Sequence, residues 1–198
     1  MALTLLDWRR QVAALYAGIR ANPDPVAAHA HWRTARDRLL REHSQSPIPT
    51  ALRSDFPGAV VAEYNPGLRF DVAVDPHVEP RRLEIETGTD GLVTFDRVGR
   101  LHLPGLGDLD AWWLRAYGGG LFVPFRDSTA GAESYGGGRY LLDTAKGADL
   151  GGTAESLVID FNFAYNPSCA YDPAWACPLA PAGNVLDQPI RAGELAPR

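Results

Sequence analysis

The spacing of apolar residues changes once along this chain, and that change restricts the fold more than any other feature. Up to about residue 45 apolar positions recur at helical spacing. Beyond Ser46-Pro47-Ile48-Pro49 they alternate with period two. Leu5, Trp8, Val12, Leu15 and Ile19 line one face of a helix predicted over 4–21, with Arg9, Arg10 and Arg20 on the wet side. Asn22-Pro23-Asp24-Pro25 breaks it. Asp24 then suits an N-cap, with Pro25 at the first position of a second helix running to about Arg41 and burying Trp32, Ala35 and Leu39.

In the second regime, Leu68, Phe70, Val72 and Val74 alternate with Arg69, Asp71 and Asp75, and Leu83 and Ile85 alternate with Glu84 and Glu86. Such alternation marks half-buried antiparallel strands. Gly88-Thr89-Asp90-Gly91 reads as a turn into a strand over 92–98, and Gly99-Arg100 as a further turn before 101–103. The expected fold is mainly β, an antiparallel barrel or sandwich with an N-terminal helical pair. No second core or linker is visible. The expected organisation is a single domain over 1–198, with helices in 1–45 and a β-rich body in 56–198.

A net charge of −5, without any basic run, argues against nucleic acid as a partner. No stretch approaches the roughly 20 apolar residues that span a bilayer, and the start of the chain reaches Asp7-Trp8-Arg9-Arg10 without the pattern of a signal peptide. The expectation is a cytoplasmic protein without a membrane partner. Lys146 is the only lysine, and with abundant Ala, Gly and Pro this bias points to a GC-rich bacterial genome.

The C-terminal half holds an echo. Tyr117-Gly118-Gly119-Gly120 leads into Leu121-Phe122-Val123-Pro124-Phe125-Arg126-Asp127, and Tyr135-Gly136-Gly137-Gly138 leads into Arg139-Tyr140-Leu141-Leu142-Asp143. Neither run is followed by the Lys-Ser or Lys-Thr of a phosphate loop, so each reads as a tight turn, a bulge or a close backbone approach. Asp127 opens a polar loop and can cap it, or work with Glu133 as an acid–base pair. Arg139, set among aromatics, can clamp an anion or pair internally with Asp127, Asp143 or Asp160. Leu157, Ile159, Phe161 and Phe163 form the core face of a strand whose other face carries Asp160 and Asn162 two residues apart, placed to hold a substrate or to satisfy nearby backbone.

Cys169 and Cys177 are separated by a segment that Asp172-Pro173 can reverse. They are expected in one compact loop, structural and either reduced or paired, or carrying a reactive thiol. Zinc is disfavoured, because the spacing is not a Cys-x2-Cys knuckle and no histidine follows His102. His29, His31 and His43 read as surface or helix-end residues, and His102 as facing away from its leucine neighbours.

These motifs, continued through Asp160-Phe161-Asn162-Phe163-Ala164-Tyr165-Asn166-Pro167, Cys169-Ala170-Tyr171, Cys177-Pro178, Asn184 and Ile190-Arg191-Ala192-Gly193-Glu194, resemble the signature of domain of unknown function 1684. The resemblance covers nearly the whole chain and implies a bacterial or archaeal origin, with no established activity and no known cofactor. Three readings stand. The body binds a small polar or anionic ligand near the Gly-Gly-Gly-Arg and Asp-Phe-Asn motifs, through Arg139, Tyr140, Asp160, Asn162, Tyr165 and Asn166. Alternatively, the same region is a hydrolase-like site using Asp127, Glu133 or Asp160 with Arg139 as electrostatic clamp. In the third reading the motifs only close the fold.

Overall fold

The computed structural model describes residues 2–87 and 91–197. Helices α1 (Ala2–Ala21) and α2 (Pro25–Glu42) stand where helical spacing places them. Asp24 caps α2, its Oδ1 accepting the N–H groups of Val26 at 2.9 Å and Ala27 at 3.1 Å. A cap of this kind is worth about 1 kcal/mol. Pro25 follows at a position that needs no N–H. The helices bury Leu15, Tyr16 and Ile19, then Ala28, Trp32 and Leu39, while Ala35 is half-buried.

Seven strands follow: β1 (Arg69–Asp75), β2 (Arg82–Thr87), β3 (Gly91–Leu103), β4 (Gly107–Leu114), β5 (Leu121–Phe125), β6 (Arg139–Asp143) and β7 (Ser156–Asp160). All their pairings are antiparallel, in the order β6-β5-β4-β3-β1-β7, with β2 also on β3. The branch arises because β3 is 13 residues long. One edge of β3 pairs with β2 near Phe95 and with β1 near Leu101. The sheet curls into a half-barrel carrying the helical pair. Just past β7 the chain returns to β6, where Tyr140 and Tyr165 exchange backbone hydrogen bonds of 2.9 and 3.0 Å.

Three local expectations are corrected. Gly99-Arg100 is not a turn: β3 runs straight through, and its register with β4 slips between Arg97 and Gly99. A bulge bends a strand and strengthens its twist. Glycine is needed there because a Cβ would lie 2.4 Å from Val74 Cγ1 and 2.9 Å from the Asp75 carbonyl oxygen. Strand β4 is an addition to the pattern read from the sequence; its consecutive Leu109, Asp110, Ala111 and Trp112 are all buried, so no alternation marks it. Finally, β7 ends at Asp160 and residues 161–163 form a 3-10 turn rather than more strand. The Asp160 side chain accepts the Asn162 N–H at 3.0 Å and so offers the backbone an alternative to the ladder. The turn expected at Gly88-Thr89-Asp90 lies outside the described residues.

One core joins both regimes. Leu15, Ile19 and Trp32 from the helices pack with Val72, Leu101, Leu109, Val123, Leu141 and Ile159 from the sheet and with Leu186, Ile190 and Ala192 near the C-terminus. A smaller cluster of Phe95, Trp112, Phe122 and Tyr140 forms separately. The helices are keyed to the 161–163 turn by Trp32, whose ring meets Phe163 edge-on at 5.6 Å. Aromatic pairs of this geometry add about 0.5–1.5 kcal/mol beyond area burial.

Candidate functional site

The second glycine run delivers Arg139 into the interior. Gly138 has φ +88°, and a Cβ on it would lie 2.4 Å from the Phe125 carbonyl oxygen, so the run is a close backbone approach. Arg139 is 1 % exposed. Its Nη2 donates to Asp127 Oδ1 at 3.0 Å and to the Ile190 carbonyl at 2.9 Å. Its Nη1 donates to the carbonyls of Ala192 and Glu194. The guanidinium carbon lies 4.8 Å from the Phe125 ring centroid. Burial lowers the pKa of Arg139, and Asp127 opposes that shift. Asp127 in turn caps its loop, accepting from the Thr129 hydroxyl at 2.8 Å, and takes the Ile190 N–H at 2.7 Å. Both terminal nitrogens of Arg139 are therefore held by protein.

A second ionic knot lies beside it. Glu194 is fully buried and pairs with Arg36 of α2. Its Oε2 also accepts the Asn166 N–H at 2.7 Å and the Tyr171 hydroxyl at 3.0 Å. The Asn166 amide donates to the Leu195 carbonyl at 2.7 Å, and Arg36 stacks over Tyr165 at 4.8 Å. Tyr140 reaches the Pro178 carbonyl through its hydroxyl. The segment from Asn184 to Ala196 is thus laced over the body as a strap, through backbone bonds to Val60, Ala62, Arg126, Glu133 and Ala164. Glu133 stands outside this knot, exposed and paired with Arg191 at 2.8 Å.

Asp160 is different. The described residues contain five buried acids: Asp110, Asp127, Asp143, Asp160 and Glu194. Arginine or lysine pairs with every one except Asp160. Asp160 Oδ1 is held by the Asn162 amide at 2.7 Å, and Oδ2 takes a long bond from the Tyr64 hydroxyl at 3.3 Å. Asn162 is itself pinned by two bonds to the Asn65 backbone, of 2.7 and 2.9 Å. Burial pushes the Asp160 carboxyl up, although Asn162 and Tyr64 stabilise its charge; burial and Asp160 together push Tyr64 up to about 12. Asp160 lines a cavity of about 490 Å³, with Ile19, Leu150 and Phe163 as apolar wall and Arg20 and Arg69 as its cations.

Of the six ligand-binding candidates, Asp160 borders this cavity and Asn162 fixes it from behind. Arg139, Tyr140, Tyr165 and Asn166 are engaged in the knots under the strap. The carboxylates of the three acids considered for catalysis, Asp127, Glu133 and Asp160, share no hydrogen-bond partner. A second cavity of about 570 Å³ is lined by Asp75, Glu79, Arg97, Arg100 and His102. Most of its charges are already matched. Arg97 and Arg100 reach Asp110 at 3.2 and 3.0 Å, and His102 reaches Asp108 at 2.8 Å.

Sequence reading missed Tyr64, Arg36 and the burial of Glu194, which lie in irregular segments or on the partly polar side of a helix. It also placed His29 at the surface or a helix end, whereas the residue is 3 % exposed, its ring stacked on Trp32 and edge-on to Phe163. Cys169 and Cys177 do share one compact loop and are free thiols. Among the described residues no group of three or more His, Cys, Asp or Glu is placed to hold a metal ion. No helix among them is long and apolar enough to cross a membrane.

No curated protein matches the chain. Its fold is similar to the solution NMR structure of an uncharacterized protein from gene locus rrnAC0354 of Haloarcula marismortui. The TM-score is 0.59 and the identity 38 %, over 82 % of this chain and 89 % of that one. The family model described as "Protein of unknown function (DUF1684)" matches residues 54–195, a narrower span than the motifs suggest, since both helices precede it. The match takes in the glycine-rich runs, the Asp-Phe-Asn turn and most of the strap, and the chain belongs to the DUF1684 family.

Proposed function

We propose that the protein binds a small polar or anionic ligand in the cavity beside the Asp-Phe-Asn turn, with Asp160 as its recognition group. The observation that carries this reading is the missing ion pair. A buried carboxylate without a paired cation is costly unless a partner arrives, and Asp160 alone among the buried acids of the described residues has no cation in ion-pair contact, Arg69 acting on it only from a distance. A ligand amine or hydroxyl would add a donor to Oδ2, which now takes only the long Tyr64 bond. An acidic group on the same ligand would meet Arg69 and Arg20, which now lean on Asp71 and Asp149. Apolar walls with a few convergent polar groups suit a small organic molecule. In this reading Arg139, Asp127 and Glu194 close the fold, and the Asp127 and Glu133 carboxylates are each taken up by an arginine.

The test pairs native mass spectrometry of the purified protein with thermal melts against a panel of small amines, amino acids and hydroxy acids. The expected result is a retained molecule, or a panel member that raises Tm in wild type. That response should be lost in Asp160→Asn and weakened in Arg69→Ala, both still folded by circular dichroism. An absence of any response in wild type, or an undiminished one in Asp160→Asn, overturns the reading.

A further inference from the structure

The loop after the Asp-Phe-Asn turn brings two thiols together. Asp172 reverses the chain, its Oδ1 accepting the Ala174 N–H at 2.9 Å while its carbonyl accepts the Trp175 N–H at 3.1 Å. As a result Cys177 Sγ lies 3.4 Å from the Cys169 backbone nitrogen, whose N–H donates to it. The Tyr135 hydroxyl points at Cys169 from the other side, 3.6 Å from Sγ and 3.4 Å from the Cys169 carbonyl oxygen. Both cysteines are partly exposed, so a small solute can reach them. None of these residues borders the Asp160 cavity.

We propose that Cys169 and Cys177 are a modification site, an oxidisable pair in which hydrogen peroxide converts two thiols reversibly into a disulfide. The surroundings make the two sulfurs unequal. Hydrogen bonds from Cys177 and then Tyr135 lower Cys169 to about 6, while the same bond to Cys169, together with burial, pushes Cys177 up. A thiolate is the nucleophilic form of cysteine. The Cys169 thiolate therefore attacks one oxygen of peroxide. The O–O bond breaks, the leaving hydroxide takes a proton and becomes water, and Cys169 becomes a sulfenic acid. Cys177 Sγ then attacks the Cys169 sulfur. Its thiol proton leaves with the sulfenic oxygen as a second water, and the S–S bond forms. Two electrons pass from sulfur to oxygen, and a dithiol restores both thiols by exchange. Tyr135 loses the thiolate that accepts its hydrogen bond, so the change is felt beside the second glycine run.

The experiment uses the full reduced chain. Stoichiometric peroxide should lower the intact mass by two hydrogens and link the peptides bearing Cys169 and Cys177, with dithiothreitol reversing both changes. Alkylation by iodoacetamide should titrate at Cys169 with a midpoint near 6, well below the ordinary thiol value of 9.0. Tyr135→Phe should move that midpoint upward, a readout that a merely structural tyrosine would leave alone. Cys177→Ser should stop at a sulfenic acid trapped by dimedone, and Cys169→Ser should give neither product. The proposal is overturned if Cys169 titrates at the ordinary value. It is equally overturned if folded protein keeps both thiols under peroxide, or if the sulfenic acid goes on to sulfinic acid in wild type instead of forming the disulfide.

Discussion

Arg139 has no contact with water, and its terminal nitrogens meet one carboxylate and three carbonyls. Carbonyls solvate a cation without cancelling its charge, so Asp127 is the one neutralising partner in direct contact. Removing either member strands the other in a low-dielectric interior. Arg139→Ala should therefore destabilise the protein by about 3–5 kcal/mol, read from urea unfolding. Arg139→Lys should also lose stability, because an ammonium cannot span a carboxylate and three divergent carbonyls. His29 makes a second prediction. Burial, aided by Arg33, lowers its pKa from 6.5. The folded protein thus resists protonating a ring that the unfolded chain protonates near 6.5. Stability is full above that value and falls as the pH drops, until the folded-state value is reached. The slope is at most about 1.4 kcal/mol per pH unit for one proton. His29→Phe should flatten the stability profile below pH 6.5, measured by denaturation across that range.

Among the elements, those with regular spacing were legible and those built on side-chain capping were not. Both helices and the strands around Val72, Ile85 and Phe95 announced themselves through period 3.6 or period two. The sequence reading missed β4, because both its faces are covered, and it ran β7 too far, because a single carboxylate turned the chain at Asp160. The strap was read only as a string of motif residues. It has no period, being tied down one backbone bond at a time. The candidate site was half legible for a related reason. Asp160 and Asn162 could be paired by their spacing, but Tyr64 sits 96 residues from Asp160, and only the folded chain joins them. Gly193 tests the strap as an element. It has φ +68°, and a Cβ there would lie 2.5 Å from the Ala164 carbonyl oxygen and 2.7 Å from that of Phe161. Gly193→Ala should cost more than about 1 kcal/mol. It should also raise amide exchange at Ala62 and Glu194, whose bonds flank it.

At the scale of the whole molecule, the early and late parts of the chain depend on each other. α2 meets the strap through Arg36 and Glu194, which lie 158 residues apart, and Val61 bridges to Glu194 in the same place. The fold class was visible in advance because a mainly β body behind two helices follows from a single change of period. How the body closes was not, since closure depends on pairs such as Tyr140 with Tyr165 and Arg36 with Glu194 that no local pattern encodes.

That lacing has a consequence in time. Contacts between residues far apart in sequence require large loops to close before any reward is collected, and topologies rich in them reach the native state slowly. Until the strap arrives, Arg139 and Arg36 lack, respectively, their carbonyl acceptors and their counter-ion, and the sheet has not yet gained its last cover. A chain emerging from the ribosome cannot make these pairs until residues 190–194 are available. The step that completes the charge pairing of the interior is therefore also the one that ties α2 to the last residues of the strap.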